Sequence, residues 1–81
     1  MKPGDPVIYT DGYRRDYYAL VTAVWGPNCI NVVFVSGDAS KDDTYGRQIE
    51  HETSVSRYTP DNNFGRCFRE VGTEAVFVNH P

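Results

Sequence analysis

Two apolar runs, Tyr17-Tyr18-Ala19-Leu20-Val21-Thr22-Ala23-Val24-Trp25 and Ile30-Asn31-Val32-Val33-Phe34-Val35, stand on either side of Gly26-Pro27-Asn28-Cys29. Both runs are rich in β-branched and aromatic residues and the hinge has turn chemistry, so the stretch predicts a hairpin of two strands. A membrane helix is excluded here. Spanning takes about 20 uninterrupted apolar residues, and Gly26-Pro27-Asn28 breaks the run in its middle. The hairpin sets the fold class as a small all-β domain.

The chain of 81 residues is read as one domain, 1–81. At that size folding hides only about 60% of the surface the unfolded chain exposes, and small domains lean on disulfides, metals or self-association. Cys29 and Cys67 are too few for a disulfide scaffold and lack the spacing of metal-ligand pairs. Both are expected as reduced, buried thiols. Self-association is then the remaining helper, and a homo-oligomer is expected. Met1-Lys2-Pro3-Gly4 carries no apolar signal core, which predicts a cytoplasmic protein with no membrane partner. The net charge is −3. Binding through nucleic-acid phosphates draws on basic surfaces, so generic DNA or RNA binding is disfavoured. Tyrosine accounts for 6 of the 81 residues, and its flat apolar body with a polar tip suits a binding surface as well as a packed strand.

Gly4-Asp5-Pro6 opens a short strand from Val7 to Thr10, followed by an irregular loop from Asp11 to Asp16. After the hairpin, Ser36 to Asp43 reads as a flexible acidic loop with no large apolar anchor, ending near Thr44-Tyr45-Gly46. Gln48 to Arg57 alternates with period two. Ile49, His51, Thr53, Val55 and Arg57 share the face expected to be half-buried; Gln48, Glu50, Glu52, Ser54 and Ser56 share the solvated one. Tyr58 to Asn63 has turn chemistry. Phe64 to Glu70 predicts another short strand, and Ala75-Val76-Phe77-Val78 is apolar enough for a sixth, paired within the chain or with a neighbour. Five to six antiparallel strands with these loops predict a small, partly open SH3-like barrel; an OB-like barrel is the alternative.

Gly4-Asp5-Pro6-Val7, Ala19 to Val24, Ile30 to Phe34 and Thr53-Ser54-Val55 together resemble a pattern recurring in small phage and prophage proteins. The opening Gly-Asp-x-Val also resembles the first strand of KOW- and Tudor-type barrels. The likeness covers roughly residues 4–70 and concerns barrel construction. It implies an SH3-like fold and a phage-like origin, with the host cell cytosol as the setting.

Among candidate sites, Gly12-Tyr13-Arg14-Arg15-Asp16-Tyr17-Tyr18 sets aromatic faces beside guanidinium groups. That chemistry can stack a base and hold a phosphate or a partner's carboxylate. The opposing reading is a solvated loop whose tyrosines cap the barrel end. Tyr45 and Arg47 of the third loop extend this candidate site. Arg57, Arg66 and Arg69 form a second group with Arg47; Arg66 lies between Phe64 and Phe68 in sequence, and guanidinium beside aromatics suits an anionic ligand. Ion pairing with Glu50, Glu52 and Glu70 is the simpler expectation. His51 on an apolar face is expected as a rim residue, separated from Ser54, Ser56, Glu50 and Glu52 by strand geometry. Glu50 and Glu52 are expected exposed, with no apolar pocket to shift a carboxyl pKa. No catalytic residue, metal site or cofactor is expected.

With the phage-like origin that the resemblance implies, these residues lead to the expectation of a non-enzymatic accessory protein in counter-defence or host takeover. It would bind a host protein stoichiometrically or sequester a small anionic, nucleotide-type signal. A structural or virion-assembly module and a KOW-like nucleic-acid binder are the alternatives.

Overall fold

Alternating burial along three consecutive strands builds the core. In the computed structural model, which describes residues 1–61 and 65–72, these are β1 (Pro6–Thr10), β2 (Asp16–Gly26) and β3 (Cys29–Val35). Val7 and Tyr9 of β1, Ala19 and Val21 of β2, and Ile30, Val32 and Phe34 of β3 point inward. The short β4 (Asp42–Asp43) and β5 (Gly46–Arg47) follow, then β6 (Ile49–Arg57) and β7 (Cys67–Glu70), which add Val55 and Phe68 to the core. Each fully buried large side chain contributes about 1.5–3 kcal/mol through removal from water. No helix occurs among the described residues, and none is long and apolar enough to cross a membrane.

Five strands close into a barrel in the order β1-β2-β3-β6-β7, with β7 returning to β1. The sequence predicts a partly open barrel of antiparallel strands. Closure is achieved instead by a parallel seam in which β6 meets β7 only through Ser56↔Cys67 and Arg57↔Phe68. The acidic third loop is also more ordered than its composition suggests. It folds into the β4–β5 hairpin, where the Arg47 Nε lies 3.1 Å from Asp42 Oδ1 and the Asp43 carboxylate accepts the Tyr45 amide at 2.8 Å. Of the strand expected over Phe64 to Glu70, Cys67–Glu70 forms β7, and Phe64 and the apolar segment 75–78 lie outside the described residues. Cys29 is partly buried and Cys67 is buried, both as free thiols.

One irregularity reorders β6. Ile30 pairs with Val55 and Val32 with Glu52, so two steps on β3 face three on β6. The extra residue bends β6 at Ser54, whose φ is 54°, and the amide freed from the ladder is taken by Asn31 Oδ1 at 2.9 Å. A bulge of this kind shifts the alternation of everything before it by one residue. Glu50 and Glu52 therefore face inward at the barrel end, whereas Ile49 and His51 lie exposed on the outer face. This reverses the sequence expectation for all four. The period-two pattern was read with one phase, and the bulge gives β6 two.

The seam side is tied by a polar knot across β1, β2 and β7. Thr10 Oγ1 donates to Asp16 Oδ1 at 2.7 Å, and Arg69 donates to Asp16 Oδ2 at 2.8 Å and to Thr10 Oγ1 at 3.2 Å. Burial works against the Asp16 charge, but the hydrogen bonds from Arg69 and Thr10 outweigh it and hold the carboxyl below its usual range. A carboxyl depressed by folding stabilises the fold above its unfolded pKa, about 3.9, and that contribution is lost as the pH falls through the folded value. A series of thermal melts across the acid range is expected to show this loss, and Asp16→Asn is expected to flatten it. Asn31→Ala is expected to cost about 1 kcal/mol in denaturant unfolding, because the Ser54 amide loses its acceptor.

Candidate functional site

Three rings from adjacent strands meet at one end of the barrel. Tyr9 and Tyr17 are cross-strand partners in the β1–β2 register, and Phe34 follows on β3. Their centroids lie 6.1 Å apart for Tyr9–Tyr17, 5.0 Å for Tyr9–Phe34 and 4.7 Å for Tyr17–Phe34, distances at which aromatic pairs attract beyond simple area burial. The rings form the floor of an open cleft of about 740 Å3, within the range of ligand sites. Its walls are the Asp11–Arg15 loop, the Gly37–Ala39 turn, Glu50 and Glu52 of β6, and Arg66.

Asp11 organises the first loop. Its carboxylate accepts the amides of Tyr13 at 2.8 Å and Arg15 at 2.9 Å, and its other oxygen accepts the Tyr17 hydroxyl at 3.1 Å. The loop turns at Arg14, whose φ is 63°. Two glycines allow the close approaches that shape the cleft. A Cβ at Gly37 would come within 2.7 Å of the Tyr17 hydroxyl, and one at Gly65, already at φ 102°, would collide with the Asp11 carbonyl oxygen. The C-terminal segment before β7 thus packs directly on the first loop.

Charge in the cleft is mainly negative. Asp11, Asp38, Glu50 and Glu52 line it with Arg15 and Arg66. Arg66 Nη1 lies 3.9 Å from Glu52, and Lys41, from outside the lining, lies 3.6 Å from Glu50. Hydrogen bonds from the Ser40 hydroxyl and amide hold the Asp38 carboxyl below its ordinary value. Burial, then the Glu52 carboxylate, pushes the Tyr9 phenol up to about 12. Burial and the hydrogen bond to Asp11 also raise Tyr17.

The residues expected from sequence are divided by the fold. Arg15 and Tyr17 reach the cleft, as does Tyr13, which is otherwise exposed with the Arg15 guanidinium 5.7 Å from its ring centroid. Arg14 is exposed and outside the cleft lining. Tyr45, 97% exposed, and Arg47 stand on the β4–β5 hairpin away from the lining, with Arg47 engaged by Asp42 and the Ser36 carbonyl. Of the second arginine group only Arg66 enters. Arg57 lies 4.8 Å from the Phe68 ring centroid and 3.5 Å from Glu70, and Arg69 belongs to the Asp16 knot. Ion pairing thus accounts for Arg47, Arg57, Arg66 and Arg69, with Asp42, Glu70, Glu52 and Asp16 as partners.

Sequence reasoning missed Tyr9, Phe34, Asp11, Glu50 and Glu52. The first two read as core positions, and they are also the cleft floor. The two glutamates were legible only through the bulge, whose one sequence signal is Asn31 interrupting an otherwise apolar strand. Among the described residues no group of three or more His, Cys, Asp or Glu is arranged to hold a metal ion. No protein-family model matches the chain, and no curated protein or solved structure matches it either.

A phenol raised by folding stabilises the fold below its unfolded pKa, near 10, and that stability is lost as the pH rises through the folded value. In an ultraviolet phenolate titration one tyrosine is expected to ionise near 12. Glu52→Gln is expected to lower that value. Coincident ionisation of all 6 tyrosines at about 10 would contradict the cleft geometry.

Proposed function

We propose that the protein is a non-enzymatic binding module, and that its barrel-end cleft takes a cationic group presented by a protein partner. The observation that carries this reading is the placement of Glu50 and Glu52 on the same cleft as Tyr9, Tyr17 and Phe34. Tyr9 and Phe34 are buried and Tyr17 keeps accessible ring surface; an aromatic face attracts a cation through the ring quadrupole, worth about 0.5–2 kcal/mol, and more as water is excluded. Carboxylates around the rim add Coulomb attraction and steer the encounter. Binding is stoichiometric, and its effect is to occlude the partner's basic side chain. A host protein as that partner, with counter-defence or host takeover as the setting, rests on the resemblance of the sequence to small phage and prophage proteins alone.

The same charge balance weighs against a nucleotide-type signal and against KOW-like nucleic-acid binding. A phosphate entering the cleft meets four carboxylates and two guanidinium groups, one of them near Glu52. A role in virion assembly finds no specific support in the cleft.

Calorimetric titration with lysine- and arginine-containing peptides, and in parallel with mono- and dinucleotides, tests the proposal. Basic peptides are expected to bind with an affinity that weakens as salt is added. Glu52→Gln is expected to weaken binding about tenfold, equivalent to about 1.4 kcal/mol, and Tyr17→Leu is expected to weaken it further. Nucleotide binding that is lost on Arg15→Ala would overturn the assignment in favour of an anionic ligand.

A further inference from the structure

The outer face of the barrel has a property the cleft does not explain. Register places Tyr18 and Leu20 of β2 beside Val33 and Val35 of β3, and Val35 pairs in turn with Ile49 of β6. These side chains point away from the core because their neighbours Ala19, Val21, Val32 and Phe34 point into it. Tyr18 is 82% exposed, and Leu20, Val35 and Ile49 are each about half exposed. Farther along the same face stands Trp25, 65% exposed, with its indole N–H donating to Asn31 Oδ1 at 2.9 Å.

The face is wide and mainly apolar, with the exposed imidazole of His51 beside Val33. With about 200 Å2 for each large aromatic side chain, Tyr18 and Trp25 together leave on the order of 300 Å2 open. The aliphatic residues carry the total to about the upper end of the largest apolar patch of an ordinary monomer, about 300–600 Å2, a substantial part of the roughly 800 Å2 per partner of a stable association. None of the six side chains bears a charge. The charged residues at its β1–β2 border, Asp16 and Arg69, neutralise each other at 2.8 Å.

We propose that this face is the contact between two copies of the chain, packed sheet on sheet. A mainly apolar surface, here with the His51 imidazole beside Val33, is complemented by another of the same kind. Among the described residues, the surface that meets this requirement is the same face on a second molecule. A two-fold arrangement brings it against itself. The contact also gives a small domain the burial its own core cannot supply.

Sedimentation equilibrium of the full chain, with thermal melts at several protein concentrations, tests the proposal. The wild type is expected to be dimeric at micromolar concentration, with a melting temperature that rises with concentration. Leu20→Glu and Val35→Arg change exposed positions and are each expected to give a monomer with an unchanged far-ultraviolet circular dichroism spectrum. If either variant fails to fold, Tyr18→Ser reads out the same contact. A wild type that stays monomeric, or a dimer that survives in the folded variants, would overturn it.

Discussion

The extra residue in β6 decides what this barrel can offer a ligand. Without it, Glu50 and Glu52 would point to solvent and Ile49 and His51 would crowd the aromatic end of the barrel. The distortion is held by one side chain. Asn31 Oδ1 receives the displaced Ser54 amide and the Trp25 indole together, so a polar residue inside an apolar strand fixes the bend and orients a large aromatic on the outer face. A left-handed backbone at Ser54 carries a steric cost of roughly 1–2 kcal/mol for a residue with a Cβ, and the Asn31 contact offsets part of it. Strain of this kind is common where a fold re-aims side chains for use.

The aromatic floor depends in turn on how tightly the surrounding loops approach. Gly37 admits the Tyr17 ring, and Gly65 lets the segment before β7 rest on the Asp11 carbonyl. Asp11 is the junction of these constraints, with its carboxylate on the first loop and on Tyr17 and its carbonyl under Gly65. Cleft shape and barrel closure are therefore parts of one packing arrangement.

The fold was largely legible in the sequence because its signals are local. The apolar runs around Gly26-Pro27 specify β2 and β3, and strand-forming composition at Val7–Thr10 specifies most of β1. The site was less legible because its members are joined by register. Tyr17 and Arg15 were found from aromatic and guanidinium neighbours in one loop. Tyr9 and Phe34 come to them across strand pairings that composition does not encode. Glu50 and Glu52 were assigned to the wrong face because alternation carries a period and no absolute phase. Tyr45 and Arg47 were grouped with the first loop by residue type alone, and the β4–β5 hairpin holds them elsewhere.

The position of β1 has a consequence for how the chain comes to be folded. This strand has β2 on one side and β7 on the other, so Tyr9 is paired with Tyr17 and with Phe68. During synthesis the first of these neighbours is available almost at once, and the second only after Glu70 has been made. Until then one edge of β1 is bare and the Asp11 carbonyl is uncovered by Gly65. A nascent chain can assemble the hairpin and all three rings of the aromatic floor, which stand on β1, β2 and β3, but the Arg66 wall of the cleft comes only with β7. The complete cleft therefore arrives late in the life of each new molecule, together with barrel closure.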